Sequence, residues 1–148
     1  MIVKIKKLVN NAVLPTYAHD GDACMDLTAI SKKFVDEVNY GYIEYDFGLS
    51  FEFPDDHVML IFPRSSISET GLVLSNAVGV VEPTYRGSIK ARFKWIKGSA
   101  QYEVGDRIAQ FMIIPRPKIE LELVDELSET VRGSGGYGST NKQSKKGQ

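Results

Sequence analysis

From Ile43 to Phe53 the odd positions are all apolar, running Ile43, Tyr45, Phe47, Leu49, Phe51 and Phe53, while the even ones are Glu44, Asp46, Gly48, Ser50 and Glu52. Successive side chains of a pleated strand point to opposite faces, so this alternation predicts a strand with one face buried. The pattern returns at 85–95, where Tyr85, Ile89, Ala91, Phe93 and Trp95 oppose Arg86, Ser88, Lys90, Arg92 and Lys94. It returns again in Ile119, Leu121 and Leu123 against Glu120 and Glu122. Short apolar runs at 58–62, 72–74, 77–81 and 108–114 predict strands buried on both faces.

Turn-forming residues separate these segments: Asp20-Gly21, Asn39 to Gly41, Pro54-Asp55-Asp56, Ser75-Asn76, Glu82-Pro83-Thr84 and Lys97-Gly98. Many short strands at this spacing predict an all-β chain, an antiparallel barrel or sandwich, in place of an alternating βα fold. The one helical turn predicted is Ser66 to Gly71, with Ser66 or Ser68 as its cap and Gly71 as its stop.

With 148 residues, 43% hydrophobic and 25% charged, the chain has the length and composition of one domain. Its charges nearly cancel, which gives no electrostatic footprint for nucleic acid or an anionic membrane. They are unevenly placed. Residues 1–131 hold 14 basic and all 19 acidic residues, net −5, whereas 132–148 hold Arg132, Lys142, Lys145 and Lys146, net +4, with five of the 13 glycines. The reading is a folded body over 1–131 and a mobile, basic, glycine-rich arm over 132–148. A single cysteine, Cys24, excludes an intramolecular disulfide and multi-cysteine zinc cages, which fits a reducing compartment. The N-terminus alternates instead of forming an apolar signal core, and no apolar run reaches the ~20 residues of a membrane span. The expectation is a soluble intracellular protein.

Several segments carry chemistry. Gly133 to Gly138 spells G-x-G-x-x-G but opens no predicted βαβ unit, and Ser139 stands where a phosphate-binding loop of Walker type needs lysine. What remains is a backbone able to turn several N–H groups to one anion, beside Arg132, Ser139 and Thr140; a plain flexible tail is the alternative. Asp20, Asp22, Cys24 and Asp26 would share one strand face, but the spacing lacks the glycine and glutamate of an EF-hand. Asp26, followed by apolar Leu27, is the carboxylate there best placed to face a site. Pro63-Arg64-Ser65-Ser66 sets an arginine and two hydroxyls between a buried strand and a helical turn, a concentration of donors for phosphate oxygens. Gly105-Asp106-Arg107 reads as a turn with an ion pair on its edge, and Gln110 is a lone amide among apolar neighbours that needs hydrogen-bond partners. Glu82 projects from a tight turn; beside a phosphate ester it could take a proton from water.

In this order the segments resemble the homotrimeric deoxyuridine triphosphatase family. The matching stretches are Ala23 to Leu27 (ACMDL), Pro63 to Ser66 (PRSS), Asn76 to Gly87 (NAVGVVEPTYRG), Gly105 to Gln110 (GDRIAQ) and Arg132 to Thr140 (RGSGGYGST), so the resemblance spans about 15–140. It implies a jelly-roll-like β-barrel with one short helix and a flexible C-terminal arm. It also implies hydrolysis of dUTP to dUMP and pyrophosphate by water at the α-phosphorus, with Mg2+ on the triphosphate. By the same resemblance Glu82 is the base, Arg64, Ser65, Ser66 and Gln110 hold phosphates with Ser65 near the leaving group, and Asp26 positions the metal through water. Asn76 and the 77–80 backbone, Gly79 included, read the uracil edge, and Tyr85 packs under the deoxyribose and excludes a 2′-hydroxyl. Arg132 clamps the γ-phosphate, Tyr137 stacks on the base, and Gly138, Ser139 and Thr140 complete the arm's contacts. A trimer with shared sites and a cytoplasmic location, or host-cell cytoplasm for a viral chain, are implied too.

Three departures stand out: Glu82 replaces the family's usual aspartate, Pro83 and Thr84 replace the usual serine and aspartate, and Cys24 takes a usual glycine position. The extra methylene of Glu82 moves its carboxylate by ~1.5 Å, and misplacement of that order can cost ~100-fold in rate. Two alternatives remain open. A related dCTP deaminase needs its catalytic glutamate where this chain has Arg92. A dUTP-binding or regulatory protein could keep the pocket with weak hydrolysis.

Overall fold

A computed structural model describes residues 1–36 and 41–136. Ten strands and one 3-10 helix follow in the order β1 (Lys4–Lys7), β2 (Met25–Thr28), β3 (Ser31–Asp36), β4 (Gly41–Asp46), β5 (Leu49–Glu52), β6 (His57–Pro63), the helix Ser65–Glu69, β7 (Leu72–Leu74), β8 (Gly79–Val81), β9 (Lys90–Trp95) and β10 (Arg107–Pro115). They form a pair β1-β5 and two four-stranded sheets, β2-β10-β6-β8 and β3-β4-β9-β7. Every pairing is antiparallel, as expected of an all-β chain with short connections. Among the described residues no helix is long and apolar enough to cross a membrane.

Both larger sheets contribute to one buried cluster: Ile43, Tyr45, Ala91 and Phe93 from the second, Leu27, Met59, Ile61 and Phe111 from the first. Tyr45 meets Phe93 and Phe51 meets Phe111 edge to face, at ring-centre distances of 5.7 and 5.3 Å. All the odd residues from Ile43 to Phe53 are buried, as their alternation predicts. They are divided, however, between different sheets: Ile43 and Tyr45 lie in β4, Leu49 and Phe51 in β5, and Phe47 and Phe53 just beyond the two strands. Gly48, at φ 65°, turns the chain between β4 and β5, a conformation open to glycine and costly for side-chain-bearing residues.

Other expectations are corrected. The 85–95 alternation is a strand only from Lys90; Tyr85 stays exposed in an irregular approach. Val73 and Val80 are exposed, so β7 and β8 bury one face and not two. Each lies at a sheet edge, where fewer neighbours cover the outer face. Asp20 and Asp22 share no strand with Asp26, because β2 starts at Met25 and Asp22 instead accepts the backbone N–H of His19 at 2.8 Å. The helical turn starts one residue early, with Arg64 as cap residue and no side-chain cap, and ends at Thr70. Ser68 donates back to the Ser65 carbonyl and Ser66 bonds elsewhere, so neither serine caps it. Of the predicted turn at Asn39 to Gly41, Asn39 and Tyr40 lie outside the described residues.

The first compact unit ends at Lys118, and a second begins at Ile119. Ile119, Leu121 and Leu123 form no strand and are 75%, 95% and 100% exposed, against the expectation from their alternation. A strand needs a partner edge for its backbone N–H and C=O groups, and none of the strands among the described residues includes 119–123.

Candidate active site

Two groups of the expected residues are assembled on the first unit. One lies where β2, β10 and the end of β6 run side by side. The register sets Gln110 opposite both Asp26 of β2 and Phe62 of β6. Asp26 is almost buried, and both its oxygens are taken: Arg64 Nε donates to Oδ1 at 2.7 Å and Arg107 Nη1 to Oδ2 at 3.1 Å. Arg64 Nη1 also donates to the Arg107 carbonyl at 3.1 Å. The carboxylate therefore ties two guanidinium groups together, and their net positive charge suits an anion. Gln110 satisfies its amide by donating Nε2 to the Pro63 carbonyl at 3.0 Å. Ser65, at the start of the helical turn, is exposed, and its hydroxyl has no hydrogen bond among the described residues.

The second group surrounds β8. Asn76, Gly79, Val80, Glu82 and Tyr85 line one wall of a cavity of about 590 Å³, with Glu44, Lys90 and Arg92 on the other. Gly79 pairs with Ile61, and a Cβ there would sit 3.0 Å from that of Ile61, so any larger residue would push the hairpin outward by a small shift. Ala77 has φ 59°, the one non-glycine in the left-handed region among the described residues. Such a residue stores strain, and strain of this kind gathers at functional turns. Glu82 is exposed at the head of a turn closed by the Tyr85 N–H to its carbonyl at 3.0 Å. The Tyr85 ring folds over Gly87, where a Cβ would collide with it, and its hydroxyl donates to the Ser88 carbonyl at 3.1 Å. Arg86 braces the same turn through the Pro83 and Tyr85 carbonyls.

Arg92, on the cavity's far wall, donates to Glu44 at 2.8 Å, and its guanidinium lies 4.7 Å from the Tyr42 ring centre. Lys90 donates to the same carboxylate at 2.9 Å. The Lys90 ammonium above all, with the Arg92 guanidinium, holds the Glu44 carboxyl below the usual carboxylate range. A deaminase would need an acid where this guanidinium stands.

The cavity around β8 does not include Asp26, Arg64, Ser65 or Gln110. The two groups therefore do not share this cavity. In the second unit, Arg132 closes a tight turn by donating Nε to the Gly135 carbonyl at 2.9 Å. Tyr137, Gly138, Ser139 and Thr140 lie outside the described residues.

The family model of the dUTPases matches residues 10–141. The chain belongs to the dUTPase family. It is similar to the deoxyuridine 5′-triphosphate nucleotidohydrolase of Alkaliphilus metalliredigens, 39% identical over 140 residues, 93% of this chain and 96% of that one. The enzyme of the same name from Clostridium tetani is 39% identical over 142 residues, covering 95% and 97%. Among solved structures, the dUTPase of Staphylococcus bacteriophage 80alpha with dUPNHPP superposes with a TM-score of 0.80 at 25% identity, over 93% of this chain and 97% of that one. A variant dUTPase from phage phi11 of S. aureus, described with a structural Mg(II) ion, shares the fold at TM-score 0.71 and 21% identity, over 87% and 100% of the two chains.

Against this dUTPase background, two residues that bond the Pro63–Ser66 segment escape sequence reasoning. Arg107 reads as an edge ion pair with Asp106, yet Asp106 accepts the Glu103 N–H and Arg107 turns to Asp26 instead. A register shift between Arg107 and Ala109 re-aims that side chain. Tyr102, whose hydroxyl bonds Ser66, carries no local signal, since a buried tyrosine is ordinary in any β protein.

The described residues contain no group of three or more His, Cys, Asp or Glu able to hold a metal ion. Asp26, with both oxygens engaged by arginines, has lone pairs left for water but is no first-sphere cage.

Proposed function

We propose that the chain hydrolyses Mg·dUTP to dUMP and pyrophosphate, as a homotrimer in which one copy's phosphate half-site faces another's β8 cavity. The observation that carries this reading is the division of the expected residues: a guanidinium pair tied by Asp26 in one place, an open cavity at the β8 hairpin with an exposed carboxylate in another. Arg64, Ser65 and Gln110 bind the triphosphate, and Ser66 serves the same loop. Asn76 and the backbone around Gly79 take the uracil edge, and the Tyr85 ring forms a floor on which a deoxyribose fits and a 2′-hydroxyl collides. Glu82 accepts the proton of the attacking water as oxygen bonds to the α-phosphorus; the bond to the bridging oxygen breaks and pyrophosphate leaves beside Ser65. Positioning and charge neutralisation supply most of the acceleration in such chemistry. Asp26 reaches the substrate's Mg2+ only through water and acts chiefly by orienting Arg64 and Arg107.

Association of copies is supported by residues 119–123 as well. Their apolar alternation, exposed in a single chain, suits pairing with an open strand edge of another copy, and β1 has one edge unpaired. The arm beyond it, with Arg132, Tyr137, Gly138, Ser139 and Thr140, closes over the bound nucleotide. The test is pyrophosphate release from dUTP, dCTP, dTTP and UTP with Mg2+, with ammonia release from dCTP alongside. Release from dUTP alone is expected; ammonia from dCTP, or stoichiometric dUTP binding without turnover, would overturn the reading.

A further inference from the structure

The loop Pro63–Ser66 is held by hydrogen bonds from β2, from β10 and from its own helical turn. Gln110 grips the Pro63 carbonyl, Asp26 and the Arg107 carbonyl grip Arg64, and Ser68 donates to the Ser65 carbonyl at 2.9 Å. The fourth support is Tyr102, whose phenol oxygen shares a 2.8 Å hydrogen bond with Ser66 Oγ. Tyr102 is only 8% exposed, and its own carbonyl accepts the hydroxyl of the fully buried Tyr45 at 2.9 Å. The buried Tyr45 phenol thus anchors Tyr102 to β4, and Tyr102 anchors Ser66. One consequence is directional: of the two adjacent serines, Ser66 points its hydroxyl inward and Ser65 is left facing solvent.

We propose that Tyr102 is a positioning residue of the phosphate-facing loop, fixing Ser66 by its hydroxyl so that Ser65 alone presents a hydroxyl to the leaving group. Ser66 then serves through its backbone and not its side chain. The proposal rests on the dUTP-hydrolysis reading for its kinetic consequence only; the order of the loop is a property of the free protein.

Tyr102→Phe keeps the ring and its packing while deleting the bond, and Ser66→Ala deletes it from the other side. Loss of one such hydrogen bond corresponds to about a tenfold effect. Each variant is expected to lower kcat for pyrophosphate release about tenfold with KM within about twofold, and the double variant is expected to fall no further than either single one. Amide hydrogen exchange over residues 64–67 is expected to speed up about tenfold in both, with β9 unchanged. Fold losses that multiply in the double variant would overturn the proposal, because Ser66 Oγ would then act independently of Tyr102. Parental kcat and parental exchange in Tyr102→Phe would overturn it too. Should Tyr102→Phe not fold, Ser66→Ala carries the same two readouts. If the parent releases no pyrophosphate from dUTP, the hydrolase reading fails on its own, and exchange over 64–67 still decides the role of Tyr102.

Discussion

Asp26→Asn tests whether the phosphate half-site depends on a carboxylate as a bridge between two arginines. The side chain of Asp26 is 10% exposed, that of Arg64 25% and that of Arg107 53%. Asparagine fills the same space but offers one oxygen, and its NH2 group meets a guanidinium donor to donor. A charge-assisted hydrogen bond of the partly buried Arg64 is worth about 2 kcal/mol. The half-exposed Arg107 pair is screened and adds at most about 1 kcal/mol. The loss is therefore about 2–3 kcal/mol, which for a chain of this size lowers Tm by roughly 4–12 °C. With Arg64 no longer held, kcat/KM for dUTP is expected to fall about 100-fold, the scale at which a misplaced binding group is felt. Pyrophosphate release against Mg2+ concentration separates the possible causes. If Asp26 works through the arginines, extra Mg2+ does not rescue the variant; if it works through the metal, the half-saturating Mg2+ rises and high Mg2+ restores the rate. Parental Tm and kcat/KM, or full rescue by Mg2+, would refute the reasoning.

Glu82→Gln is expected to bind a non-hydrolysable dUTP analogue with parental affinity while turnover falls at least about 100-fold, the usual contribution of a positioned base; near-parental kcat would remove Glu82 from that role. Tyr85→Ala removes the floor folded over Gly87, so the ratio of kcat/KM for dUTP over UTP is expected to drop at least about tenfold, and an unchanged ratio would refute the steric argument. Glu44→Gln probes the cavity's far wall by pH. Lys90 and Arg92 lower the folded-state pKa of Glu44 from 4.5, so its contribution is present above pH 4.5 and lost as pH falls through the lower folded value. The variant's deficit in Tm is therefore expected at pH 7 and should close on acidification; a deficit independent of pH would show that the charge pairing is not its source.

Much of the architecture is legible in the chain because period-two burial is a local rule. The odd residues from Ile43 to Phe53 all turn inward as their alternation predicts, even though Gly48 sends the two halves into different sheets. The rule fails where burial depends on a partner. Leu121 alternates as well as Leu49 does, yet it belongs to no strand and is exposed. The residues of the site were legible in the same partial way: Asp26, Arg64, Ser65, Gln110, Glu82 and Tyr85 stand out by type and context, but not the atoms they touch.

By itself the sequence determines the residue types, the turn positions and the faces each strand can bury, since backbone geometry and solvent sort these within a few residues. Only the tertiary structure decides that Asp26 is spent on two arginines and that Ser66 points inward to Tyr102. Those bonds join residues 38, 81 and 36 positions apart. Pairings of that span are set by sheet register and by the burial of polar atoms that must find partners, and neither is written in any local stretch of the chain.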